Sequence, residues 1–286
     1  MLNFKNTLIV IFFLFYFVIG AYLSITNGIS HDQFHEQQNW KVNFDAITGL
    51  LNNDNGYQQL LNYKDKYHGI GFHYFSQPIQ YLSYNLIGEI NDVNFEYAYY
   101  LSRHLAVFLI FSISGIFFYL LSLKLSNNKN FSLVTTVIFF LYPYLFGHAQ
   151  INGKDIPFLS VWLICTYYLF IIVENFYINK KVIFKNVILI SFFTAFLISI
   201  RITGILILFE YLLAVFILIN LKNLNLFNFL LKNIYFLFNF MISLILFVYI
   251  LNPILWLNPL EFFKSISWMG KYYHEICTLT LGECMR

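Results

Sequence analysis

Charge is what this sequence has least of. Asp, Glu, Lys and Arg together make up 11% of its 286 residues, where a water-soluble domain carries about a quarter. With 59% hydrophobic and 21% aromatic residues, that scarcity excludes an ordinary soluble domain and makes lipid the expected solvent. Cysteine is scarce too, and three residues over this length exclude a disulfide framework. Cys165 lies in an apolar run and reads as a small hydrophobe. Cys277 and Cys284 share the polar tail and are placed to pair if that tail is extracytoplasmic. No repeat, low-complexity stretch or flexible linker divides residues 1–286, which read as a single membrane domain. The net charge of +3 comes with no basic, aromatic-interleaved patch, so nucleic acid is not an expected partner.

What the chain has instead is long apolar runs. The first, Leu8 to Ile25, is too long for the core of a signal peptide and reads as a retained anchor. A polar segment with interfacial helices follows over residues 26–100. Six further runs lie at about Leu101–Leu123, Phe131–Phe146, Phe158–Tyr177, Val187–Ile200, Gly204–Leu221 and Ile234–Leu251. The expected fold class is therefore an all-α polytopic bundle of about seven membrane helices. Lys5, Lys124, Lys129, Lys180, Lys181, Lys185, Lys222 and Lys232 all fall on one side if the N-terminus is cytoplasmic, as the positive-inside rule requires. The segment 26–100 and the tail from residue 252 are then extracytoplasmic.

One polar insert stands out between two apolar runs: Phe146 to Phe158, FGHAQINGKDIPF. Lipid cannot satisfy such polarity, so the insert belongs at a membrane surface. Its His148, Gln150, Asn152, Lys154 and Asp155 exceed what a turn needs. On the same side, Ser30-His31-Asp32-Gln33 reads as a capping box with Ser30 as N-cap. Asp32 then sits in a first helical turn near the positive dipole end, ionised and able to accept a proton. His31/His35 and Asp32/Glu36 are i, i+4 pairs that share helix faces. A divalent metal site on the histidines and a plain amphipathic surface helix are both open readings. Arg103, expected where the second span begins, either snorkels or binds phosphate. Arg201, at the outer end of the fifth span, marks a functional site with phosphate as a good partner. Glu210 inside the next span calls for a partner, and Glu174 reads as an interfacial charge near Lys180.

In order along the chain, GISHDQFHE, the Arg103-His104 pair, FGHAQINGKDIPF, RITG and LNPILWLNPLEFF…WMGKYYHE resemble the C-type glycosyltransferases. These are multispanning enzymes such as the protein O-mannosyltransferases, the lipid A aminoarabinose transferases and the bacterial family 39-like proteins. The resemblance covers nearly the whole chain, and GHAQINGKDIPF is its most specific piece. It implies a bacterial inner-membrane protein that transfers a sugar from a polyprenyl-phosphate donor to a lipid, glycan or protein acceptor on the outer face. By motif position Asp32 resembles the first-loop catalytic acid, and Lys154-Asp155 the second-loop charged pair. The family commonly carries Asp-Glu where this chain has Asp32-Gln33, with Glu36 following. Members also usually continue beyond the point corresponding to Arg286, so the chain reads as cut short.

Such a donor needs apolar spans for its tail, cations or a metal at the leaving phosphate, and a carboxylate near the acceptor hydroxyl. The catalytic candidates are Asp32 and Asp155. Lys154, Arg201, Arg103, Glu36 and Asn152 are the substrate-binding candidates, and His148 and His35 the candidate ligands of a divalent metal. The rival reading is a transporter or flippase for a lipid-linked or anionic solute, which calls for inverted repeats and polar groups at mid-membrane depth. A third is an inactive remnant that merely inserts.

Overall fold

The computed structural model describes residues 4–30, 32–52, 54–269, 278–280 and 283–285. Its helices are α1 (Phe4–Thr26), α2 (Asp32–Asn52), α3 (Gly56–Asn62), α4 (Gly71–Asn91), α5 (Phe95–Ser126), α6 (Lys129–Leu141) and α7 (Pro143–His148). They continue with α8 (Asp155–Tyr177), α9 (Phe184–Ile200), α10 (Ile207–Leu221), α11 (Leu226–Lys232), α12 (Ile234–Leu251) and α13 (Glu261–Met269). One short ribbon departs from the all-α expectation: β1 (Thr278–Thr280) pairs antiparallel with β2 (Glu283–Met285), Leu279 opposite Cys284. Cys277, and with it the expected pairing to Cys284, lies outside the described residues.

The chain is a helical membrane protein. Four helical stretches are long and apolar enough to cross a membrane: Phe95–Ser126, Asp155–Tyr177, Ile202–Leu221 and Ile234–Leu251. The other three expected spans appear as shorter apolar helices over Val10–Thr26, Lys129–Leu141 and Phe184–Ile200. The run Phe131–Phe146 is not one helix. It breaks at Tyr142, which takes an extended conformation (φ −61°, ψ 114°) before Pro143 begins α7, because a proline's ring pushes the preceding residue out of the α region. Helix α5 instead starts earlier than expected, with Asn94 capping the Tyr97 N–H at 2.9 Å, so Arg103 lies two turns inside it.

Packing follows from where bulky and small residues meet. Phe108 of α5 fills the space over Gly20 of α1, and Phe140 of α6 fills that over Gly115 of α5; a methyl at either glycine would overlap the ring. These join Tyr16, Phe111, Val161, Cys165, Leu197 and Ile200 in one buried cluster. A second cluster joins Ala46, Tyr57 and Leu60 of α2 and α3 to Ile172, Ile198 and Leu244 of α8, α9 and α12. Helices α8 and α9 belong to both clusters, so their ends are held firmly, and one pair of those ends carries the charged insert and Arg201. Leu212, Phe216, Phe238 and Ile245 on the outer faces of α10 and α12 stay exposed, as helices bathed in lipid require. Inside the membrane region Glu210 has found partners: it accepts from Trp162 Nε1 at 2.7 Å and from Thr166 Oγ1 at 2.8 Å. Glu174 pairs with Lys124 at 2.6 Å rather than with Lys180. Cys165 is buried, its Sγ 4.0 Å from Thr194 Oγ1.

Candidate functional site

Three chain breaks build the site. The insert turns between α7 and α8, where Asn152 Oδ1 accepts the backbone N–H groups of Lys154 (3.1 Å) and Asp155 (2.8 Å). Asp155 starts α8 at its positive dipole end, and Pro157 falls in the first turn, where a missing N–H costs nothing. At the end of α9, Arg201 is extended (φ −147°, ψ 134°). Its carbonyl accepts from Gly204 N–H at 2.8 Å, which starts the short 3₁₀ turn Ile202–Leu206. The third break is the loop before α4. There Gly69 lies so close to the end of α9 that a Cβ would overlap the Ile200 and Ser199 carbonyl oxygens.

These breaks enclose a cavity of about 570 Å³. Asp32, His35, Glu36, Arg103, His148, Asn152, Lys154, Asp155 and Arg201, drawn from four separate stretches of chain, all line it. Its hub is Glu36. Oε1 accepts from Lys154 Nζ at 2.8 Å, Oε2 accepts from Arg103 Nη2 at 3.3 Å, and His73 Nε2 lies 3.7 Å from Oε2. Lys154 also donates to the Gly69 carbonyl at 3.2 Å. Burial alone would raise the Glu36 carboxyl, but Lys154, the nearby His73 ring and Arg103 outweigh it and hold the group well below the usual carboxylate range. His73, 1% exposed and stacked on Trp40 with centroids 5.4 Å apart, is pushed down to about 3 by burial and by Arg103. It is therefore neutral at ordinary pH.

Several expectations change here. Arg103 neither starts a span nor snorkels: it is 2% exposed, with its guanidinium 5.7 Å from the Phe72 ring and packed against Gly153. Its Nε and Nη1 make no hydrogen bond among the described residues. Asn152 serves the turn, its amide also donating to Asp155 Oδ2 at 3.0 Å. The capping box does not form, because the Gln33 side chain is buried against His104 Nε2 of α5 instead of reaching back to Ser30; His31 lies outside the described residues.

The rim is more open. Arg201 Nη2 meets Asp155 Oδ1 at 2.6 Å, with both side chains substantially exposed. Asp32, first residue of α2 and exposed, makes no hydrogen bond or ion pair among the described residues. The two histidines have neighbours of their own. His35 Nε2 is 3.4 Å from Asp65 Oδ2, and His148 lies against Tyr144 with Nδ1 3.2 Å from Asn152 Nδ2. Among the described residues no three His, Cys, Asp or Glu side chains gather as a ligand set.

No known family, no curated protein and no solved structure matches this chain. The site must therefore be read from its own chemistry. It sets a carboxylate with no ion pair among the described residues in one cavity with a partly exposed arginine and two cations held by the Glu36 carboxylate. Sequence reasoning missed His73, Gly69 and the Gln33–His104 contact. A histidine inside the aromatic stretch HGIGFHYF was the available signal for the first, since a buried imidazole needs a polar neighbour.

Proposed function

We propose that the protein is a multi-pass membrane glycosyltransferase that moves a sugar from a polyprenyl-phosphate donor to a hydroxyl of a lipid, glycan or protein acceptor. In this reading the chain passes the membrane seven times, its N-terminus is cytoplasmic and its charged cavity opens on the extracytoplasmic face. The observation that carries the proposal is the Asp32 carboxylate, without an ion pair among the described residues, sharing one cavity with Arg201, Lys154 and Arg103. A lipid-linked phosphate stays at the membrane surface while its tail stays among the apolar helices, and the cavity offers anion-binding groups at that boundary.

The acceptor oxygen attacks the anomeric carbon as the bond from that carbon to the phosphate oxygen breaks. Asp32 takes the hydroxyl proton, and the phosphate departs with the bonding electron pair. Its charge is met first by Arg201, which exchanges Asp155 for the phosphate, and then by the field of Lys154 and of Arg103, whose Nε and Nη1 make no hydrogen bond among the described residues. One displacement inverts the anomeric centre.

The test is Asp32→Asn in the full chain, reconstituted with a polyprenyl-phosphate sugar and an acceptor. Asn keeps the size but cannot accept the proton, so transfer should fall by roughly two to four orders of magnitude with donor binding unchanged. Undiminished transfer would remove Asp32 as the base.

A further inference from the structure

A second cleft lies at the opposite end of α8, which at 23 residues separates it from the charged cavity by about 35 Å. Its volume is about 670 Å³, and it is enclosed by the turn between α8 and α9, by α11 and by the start of α12. Its charge is of one sign. Lys180, Lys181 and Lys232 line it, and no Asp or Glu does so among the described residues. Glu174, the acid nearest these lysines in sequence, is taken by Lys124, and none of the three lysines has an ion pair among the described residues. The side-chain amides of Asn179, Asn223 and Asn228 line the same space, and within the described residues none of them makes a hydrogen bond. The back wall is aromatic, Phe176 standing edge-on to Phe229 (5.5 Å) and Phe236 (5.2 Å).

Three uncompensated ammonium groups with neutral amide donors describe a receptor for an anionic, oxygen-rich group, and a phosphate monoester or diester has that chemistry. The surroundings favour one source. Tyr235 is 81% exposed at the cleft mouth, and the exposed faces of Phe184, Phe238 and Ile242 adjoin it on α9 and α12. A free phosphate would use the cations and leave this apolar flank idle. A lipid would lay its chains along that flank with its headgroup at the helix ends.

We propose that this cleft binds the phosphate headgroup of an anionic phospholipid, independently of the transferase reading. Basic pockets between membrane helices hold such headgroups at about 1 kcal/mol per lysine near the surface. The experiment measures binding of fluorescent phosphatidylglycerol to the full chain in detergent, with phosphatidylcholine and inorganic phosphate as competitors. Saturable binding should be displaced by unlabelled phosphatidylglycerol, and not by phosphatidylcholine or millimolar phosphate. The combined Lys180→Gln, Lys181→Gln, Lys232→Gln variant should bind on the order of a hundredfold more weakly, about fivefold per lysine. The matching three-arginine variant should bind like wild type, which keeps the test decisive if the glutamine variant fails to fold. Equal displacement by phosphatidylcholine would reduce the cleft to apolar lipid contact, and equal displacement by inorganic phosphate would make it a free-anion site. Either result, or full affinity in the glutamine variant, overturns the proposal.

Discussion

Lys154 and Glu36 stand 118 residues apart in the chain, yet Lys154 Nζ donates to Glu36 Oε1 at 2.8 Å. The contact ties the insert before α8 to the first turns of α2. The same carboxylate also neutralises Arg103 at 3.3 Å, so one acid holds two cations in a largely buried space. Removing one member of such a group leaves the others without compensation. Glu36→Gln should lower unfolding stability by about 3–5 kcal/mol, visible as an earlier thermal transition in detergent. Lys154→Gln should cost less, since Glu36 keeps Arg103. An unshifted transition in Glu36→Gln would mean that the network carries no stability.

The pH dependence has a definite sign. Below its ordinary value of 6.5, an unfolded His73 takes up a proton that the folded chain refuses until about pH 3. Falling pH thus favours unfolding across that window, by up to about 1.4 kcal/mol per pH unit. Glu36 adds a loss of the same sign below pH 4.5, because its folded carboxylate stays ionised after the unfolded one protonates. His73→Phe should therefore show a shallower fall in melting temperature between pH 6.5 and 4.5 than wild type. Parallel curves would show that the imidazole is protonated in the folded protein.

Arg201 separates binding from stability. Its pair with Asp155 is 38% and 58% exposed, and exposed pairs contribute about 0–1 kcal/mol. Arg201→Gln should thus leave the melting temperature almost unchanged. If the arginine meets a lipid phosphate, affinity for a short-chain polyprenyl phosphate should weaken by roughly ten- to a hundredfold, the worth of one charged hydrogen bond. Equal affinity in the two proteins would leave Arg201 as a surface anchor.

Gly69 tests how the cavity is held together. A methyl there would strike the Ile200 and Ser199 carbonyl oxygens, backbone atoms with no rotamer to escape into. Gly69→Ala should cost about 1–3 kcal/mol and displace Arg201, which follows Ile200. Gly147→Ala, with nothing within 4 Å of the added carbon, is the control and should be neutral or slightly stabilising. Equal melting temperatures for the two variants would show that the loop before α4 is not pinned to α9.

Apolar runs of membrane length, their polar breaks and the lysine-rich connections are local properties, so the sequence by itself determined a helical membrane protein with its ionisable groups concentrated at helix ends. A break as local as Tyr142-Pro143 was legible too, had the proline rule been applied inside the apolar run. Which charges meet was decided only by tertiary structure. Asp32 and Glu36 lie one turn apart on α2, yet among the described residues the first has no ion pair and the second binds Lys154 and Arg103. Their difference is set by which turn of α2 lies level with Lys154 and Arg103, since the two acids share a helix face, and no spacing within α2 encodes that depth. Glu210 likewise pairs with Trp162 and Thr166 rather than with Arg201, because the chain breaks at Arg201 and turns α10 toward α8. Side-chain contacts across helices depend on rotation and depth fixed by packing at both clusters, whereas hydropathy and caps report only on the residues that carry them.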